Sequence, residues 1–106
     1  MATKMSIEKL GKFSAHLYKA QELLKDSPQD TGNFAVNTIS NLCAGLPLRI
    51  AIDMIAGNAS HCDSMALLYH AIPGRKEAFA QAAKEFYSAI AVLIEFRMTL
   101  EYDFST

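Results

Sequence analysis

The chain has 106 residues, of which 51% are hydrophobic and 20% are charged, and its formal net charge is −1. This length fits one domain, and the apolar share excludes a disordered tail or a low-complexity linker. The even charge balance excludes a protein that holds nucleic acid through a strong overall basic excess. Ala occurs sixteen times and Val only twice, so the composition predicts an all-α protein.

The first predicted helix covers residues 7–25. Spacings of three and four place its apolar side chains on one stripe, which comprises Leu10, Phe13, Leu17, Ala20 and Leu24. A neighbouring stripe with the same spacing is basic and comprises Lys9, Lys12, His16 and Lys19. This basic stripe supplies one alternative function, a small DNA-associated regulator that contacts nucleic acid through these four side chains.

The second and third predicted helices cover residues 33–44 and 48–70, separated by Gly45-Leu46-Pro47. The third contains Gly57-Asn58, so it is either continuous with a bend or split at Gly57, and we favour the continuous form. It also contains Asp53, an acid in a strongly apolar stretch that could be buried with a raised pKa or pair with Arg49 one turn earlier.

Cysteine and histidine residues on these two helices suggest a further alternative. Cys43 and Cys62 are too few and too far apart for a disulfide framework, so we expect buried free thiols in a reducing cytoplasm. A thiol- or metal-dependent activity at Cys62, His61 and His70 is the alternative. Because their spacing matches no metal-binding motif, we predict neither a metal nor a cofactor.

The fourth predicted helix, residues 75–102, is apolar on two faces. One stripe has regular heptad spacing and comprises Phe79, Ala82, Phe86, Ala89, Leu93, Phe96 and Leu100. The second comprises Ala83, Ile90, Ile94 and Met98, with Tyr87 beside it. Such a helix packs on its own fold with one face and can meet a partner with the other. We therefore predict a single domain over residues 1–106, an antiparallel four-helix array with this long helix as its spine.

The sequence contains no phosphate-binding glycine loop, nucleophile elbow or kinase motif, and its apolar stretches are too short to span a bilayer. We therefore expect a cytoplasmic, non-enzymatic module that docks on another protein as an adaptor, an assembly factor or a stoichiometric inhibitor of the kind that phages or plasmids encode. We also expect a homodimer. The predicted partner-binding residues are Tyr87, Ile90, Ile94, Met98, Tyr102 and Phe104.

Overall fold

The computed structural model describes residues 7–24 and 34–105, with side chains described up to residue 97. The described chain is all-α, as predicted, and has four helices: α1 (Ile7–Leu24), α2 (Phe34–Cys43), α3 (Leu48–Leu68) and α4 (Arg75–Ser105). Each helix end lies within three residues of its predicted position. None of the described helices combines the length and apolarity that crossing a membrane requires.

Helix α4 is the spine of the bundle, and α1 runs antiparallel along one side of it. Lys9 near the start of α1 lies 3.9 Å from Glu95, whereas His16 about two turns later lies 2.7 Å from Glu85. Residue numbers therefore rise along α1 as they fall along α4. Since Lys9 already pairs with Glu95 and α1 begins only two residues earlier, about the last eight residues of α4 extend past the described start of α1.

Helix α3 runs antiparallel along another side of α4. The hydroxyl of Tyr87 donates a hydrogen bond to Asp63 at 2.9 Å, and the ring of Tyr69 stacks on Phe79 with centroids 5.7 Å apart. Because α1 and α3 are both antiparallel to α4, they point in the same direction. The long helix thus lies between two shorter ones, which confirms its predicted place in an antiparallel array.

The short helix α2 packs against one face of the layer that α1, α4 and α3 form. Phe34 meets Phe86 of α4 edge to face, with ring centroids 6.0 Å apart, and the backbone N–H of Ala35 donates to the side chain of Gln21 in α1. The turn between α2 and α3 contains Gly45, whose φ of +106° is one that glycine adopts easily. The core lies where the four helices meet, and its fully buried residues include Phe13, Leu17, Leu24, Ala51, Ile55, Phe79, Phe86 and Leu93.

Two sequence predictions about α3 and the cysteines can be compared with the structure. The helix continues through Gly57, which confirms the prediction of a continuous helix, while the bend favoured with it stays a prediction. The prediction that both thiols are buried is wrong for one of them: Cys62 is buried, but Cys43 is exposed at the last residue of α2. Cys43 follows the apolar spacing of its helix, but it lies on the outer side, because the face that packs inward is centred on Ala35 and Thr38.

Candidate docking surfaces

The first candidate surface lies on α4, on the side away from α2. Tyr87 and Ile94 are 47% and 43% exposed, and the exposed residue Ala91 lies between them at spacings of four and three. Such spacing places the three side chains on one face of the helix. We call these three residues the open face of α4.

The other predicted partner-binding residues are placed differently. Ile90 is only 8% exposed and belongs to the hydrophobic core, so it presents little surface to a partner in this fold. Met98, Tyr102 and Phe104 lie in helix α4, but their side chains are outside the described part of the chain. Of the six predicted residues, the structure thus brings Tyr87 and Ile94 together on an accessible face.

The second candidate surface was not predicted from the sequence. Leu67, Leu68 and Ile72 are 76%, 68% and 47% exposed where α3 ends and the chain turns toward α4. We call these three residues the α3–α4 corner. A turn normally carries polar residues, so large exposed apolar side chains in one are unusual. The sequence signal that could have found the corner is the apolar run that continues past the end of α3 up to Pro73.

Several local interactions hold the corner in one conformation. Tyr69 stacks on Phe79 at an interplanar angle of 15°, and the guanidinium of Arg75 lies 5.7 Å from the centre of the Tyr69 ring. Gly74, with a φ of +86°, makes the tight turn, and its backbone N–H donates to the Glu77 carboxylate at 2.6 Å. The apolar side chains therefore project from a turn that these contacts brace against α4.

The predicted basic stripe lies on α1 where that helix meets α4. All four side chains lie within 4.0 Å of a carboxylate: Lys9 with Glu95, Lys12 with Glu8, and His16 and Lys19 with Glu85. A surface that binds nucleic acid mainly through phosphates needs cations that are not already neutralised. The pairing thus lowers the support for the DNA-associated alternative.

Glu85 is the acid that the sequence analysis did not single out. It is 7% exposed, the only buried charged residue among the side chains described. The hydrogen bond from His16 lowers the pKa of Glu85, and the nearby Lys19 lowers it further, although burial opposes both effects. Asp53, which the sequence suggested as a buried acid or as the partner of Arg49, is instead exposed, and the structure has no ion pair between the two.

The alternative site at His61, Cys62 and His70 is spread over different environments. Cys62 is 2% exposed, and burial, aided by the nearby charge of Asp63, raises the pKa of its thiol to about 11. His61 is exposed on the adjacent helix position, and His70 lies at the end of α3, where its ring donates to the carbonyl of Leu67. Within the described residues, no three His, Cys, Asp or Glu side chains cluster closely enough to hold a metal ion.

Comparisons of the chain with protein-family models, with curated proteins and with solved structures found no match. The class of this protein is therefore given by its fold alone, which is an antiparallel all-α bundle with a long C-terminal helix. Its two apolar surfaces, the open face of α4 and the α3–α4 corner, are the features from which a function can be inferred.

Proposed function

We propose that the chain acts without catalysis, by docking on another protein as an adaptor, an assembly factor or a stoichiometric inhibitor. The observation that carries the proposal is the α3–α4 corner. Three large apolar side chains are exposed to solvent there, at a turn where polar residues would serve equally well for the fold. Full burial of each such side chain is worth about 1.5–3 kcal/mol, so a partner that covers all three gains several kcal/mol before the costs of association.

Charges around the corner indicate what kind of partner fits it. Lys76 and His70 are exposed beside the apolar side chains, and Arg75 is half-buried against Tyr69. The one acid in this turn, Glu77, is occupied by its hydrogen bond to the backbone of Gly74. The partner that complements this arrangement is a protein with an apolar groove edged by carboxylates.

The location that suits this proposal is the cytoplasm. Cys43 is an exposed free thiol, and exposed thiols persist in reducing compartments. A docking protein with such a thiol stays free of mixed disulfides where thiols are kept reduced.

Photo-crosslinking tests the docking proposal directly. A photoreactive amino acid at position 68 should form a discrete adduct with one acidic-grooved protein in an extract of the source cells. The same amino acid at position 18 is the matched control, since Tyr18 is 45% exposed on α1, away from the corner. We expect an adduct from position 68 and none of the same mass from position 18.

Two substitutions complete the test. The double variant Leu67→Ser, Leu68→Ser should reduce affinity for the cross-linked protein about tenfold or more, whereas Tyr18→Ser should leave it unchanged. Circular dichroism checks that both variants keep their helix content. The proposal is overturned if position 68 yields no specific adduct, or if the double variant binds the captured protein as tightly as the wild type.

A further inference from the structure

We infer that the α3–α4 corner binds a partner that offers a carboxylate beside an apolar group, and that Arg75 is the residue that pairs with this carboxylate. The inference rests on the proposed function, because it names the chemistry that the same corner selects. Three features of the corner support it: a buried nitrogen of Arg75 that lacks a hydrogen-bond partner, the engagement of the nearby acid elsewhere, and the apolar side chains of the turn.

The guanidinium of Arg75 is incompletely satisfied in the folded chain. Its Nη1 atom is buried but has no hydrogen-bond partner among the described residues. One other buried side-chain atom in that part of the chain is in the same condition, Oγ1 of Thr38, which is neutral and belongs to a buried residue of α2. A guanidinium is always charged and carries five N–H donors, and a buried donor of a charged group without an acceptor destabilises the fold. Arg75 therefore has a hydrogen bond to gain from an acceptor that a partner brings.

The acid closest to Arg75 in sequence is already engaged. Oε2 of Glu77 accepts the backbone N–H of Gly74 at 2.6 Å, and this hydrogen bond lowers the pKa of Glu77. None of the ion pairs found within the described residues involves Arg75. An incoming carboxylate thus displaces no ion pair of the folded chain when it binds this guanidinium.

Tyr69 holds the guanidinium of Arg75 at the corner. The central carbon of the guanidinium lies 5.7 Å from the centre of the Tyr69 ring, and that ring stacks on the buried Phe79. Arg75 as a whole is only partly buried, so rotation about its side-chain bonds brings Nη1 to the surface. A guanidinium that lies against an aromatic ring keeps its edge N–H groups for a planar acceptor with two oxygens, and a carboxylate is such an acceptor.

The other charges of the corner attract an anion. Arg75 and Lys76 begin α4, where the helix macrodipole adds partial positive charge, and His70 is exposed just after the end of α3. Glu77 offsets only one positive charge. The corner therefore has a positive excess beside its apolar side chains.

The apolar side chains indicate which anion fits best. Leu67, Leu68 and Ile72 are exposed in the turn that leads to Arg75. A ligand that covers them also removes water from around the guanidinium, which strengthens the pairing with a carboxylate. A phosphate group carries about twice the charge of a carboxylate and is costlier to dehydrate beside apolar side chains. The element of the partner that fits the corner is thus an acidic residue beside a large apolar one.

Titration of the isolated protein with small ligands tests the inference first. Hexanoate carries a carboxylate on an apolar chain, hexanol has the same chain without the charge, and acetate supplies the carboxylate alone. Hexanoate should shift the NMR signals of the Arg75 guanidinium and of the Leu67 and Leu68 methyl groups together, with a dissociation constant in the millimolar range. Hexanol should shift the methyl signals alone, and acetate and inorganic phosphate should bind about tenfold more weakly than hexanoate.

Two results of this titration would contradict the inference. If hexanoate leaves the Arg75 signals unchanged, the guanidinium does not take the carboxylate. If inorganic phosphate shifts them as strongly as hexanoate does, the corner does not select a carboxylate beside an apolar group. Both results come from the wild-type chain, so they do not depend on the folding of a variant.

Two substitutions in the same turn separate Arg75 from the general charge of the corner. Arg75→Gln should weaken hexanoate binding about tenfold, to the level of hexanol. Lys76→Gln is the matched control, because it removes one positive charge from the adjacent exposed position, and it should weaken binding less than about twofold. Circular dichroism checks the helix content of both variants. Equal losses would show that the corner attracts anions only through its overall charge, which overturns the assignment to Arg75.

The same variants distinguish this inference from the docking proposal. Cross-linking from position 68 does not depend on which charged residue the partner contacts. Arg75→Gln should weaken the binding of a captured protein about tenfold or more and reduce the salt dependence of that binding. If the captured protein binds Arg75→Gln as tightly as the wild type, the inference is overturned and docking stands. If no protein is captured, docking fails, and the hexanoate titration still decides whether Arg75 takes a carboxylate.

Discussion

Nδ1 of His16 lies 2.7 Å from Oε2 of Glu85, a hydrogen bond between residues 69 positions apart. Because an ionised carboxylate only accepts hydrogen bonds, the imidazole N–H donates. Lys19 lies 3.5 Å from the other carboxylate oxygen. One buried acid of α4 thus contacts two successive turns of α1. Because this acid is ionised in the folded state, the stability of the bundle should depend on pH.

We expect the protein to lose stability in acid through Glu85. The folded state lowers the pKa of Glu85 below its ordinary value of 4.5, so the unfolded chain binds a proton more readily than the folded one. The stabilising contribution is therefore fully present above pH 4.5 and is lost as the pH falls through the lower pKa of the folded state. Urea unfolding followed by circular dichroism at several pH values below 5 should show this loss, and Glu85→Gln should make the profile flatter.

The same variant gives a magnitude at neutral pH. Glu85→Gln should lower the free energy of unfolding by about 1–3 kcal/mol, because it removes the charge from a buried site that His16 and Lys19 surround. Glu8→Gln is the control: Glu8 is 82% exposed and pairs with Lys12 on the surface, so its loss should cost less than about 1 kcal/mol. Equal costs for the two variants would contradict a stabilising role for the buried pair.

Two glycines should respond to alanine in opposite directions. At both Gly57 and Gly74 a Cβ would meet no atom within 4 Å apart from the adjoining backbone, so available space does not distinguish the two positions. Gly57 lies inside continuous α3, and Gly57→Ala should raise the free energy of unfolding by about 0.5–1 kcal/mol. Gly74 has a φ of +86°, and Gly74→Ala should lower the free energy by about 1–2 kcal/mol. Thermal unfolding of the two variants measures both changes, and destabilisation by Gly57→Ala would indicate a break in α3.

The helices and the central place of α4 could be predicted because they depend on local periodicity. Phe79, Phe86 and Leu93 repeat every seven residues, and all three are buried in the core. Gly45 and Gly74 mark turns because their positive φ angles suit glycine best. Such features depend on residues that lie within one or two helical turns of each other along the sequence.

The buried acid and the apolar corner could not be predicted in the same way. The burial of Glu85 depends on the register in which α1 packs along α4, and no local sequence pattern determines that register. Ile90 follows an apolar stripe that was assigned to a partner, yet it is buried in the hydrophobic core. Leu67 and Leu68 fall outside the spacing of the buried α3 residues, which runs through Ala59, Cys62 and Met65, and both are exposed at the last turn of the helix.

The two cysteines should differ strongly in reactivity. Cys62 is buried and the pKa of its thiol is raised to about 11, whereas Cys43 is exposed. The thiolate is the reactive form, and Cys62 should hold roughly a hundredfold less of it than a free cysteine near pH 8. Iodoacetamide at pH 8 should therefore modify Cys43 first, as mass spectrometry of the two peptides can show, with Cys62→Ala as the control that assigns the fast site. Modification of Cys62 at the rate of Cys43 would show that α3 opens away from α4 far more readily than its burial allows.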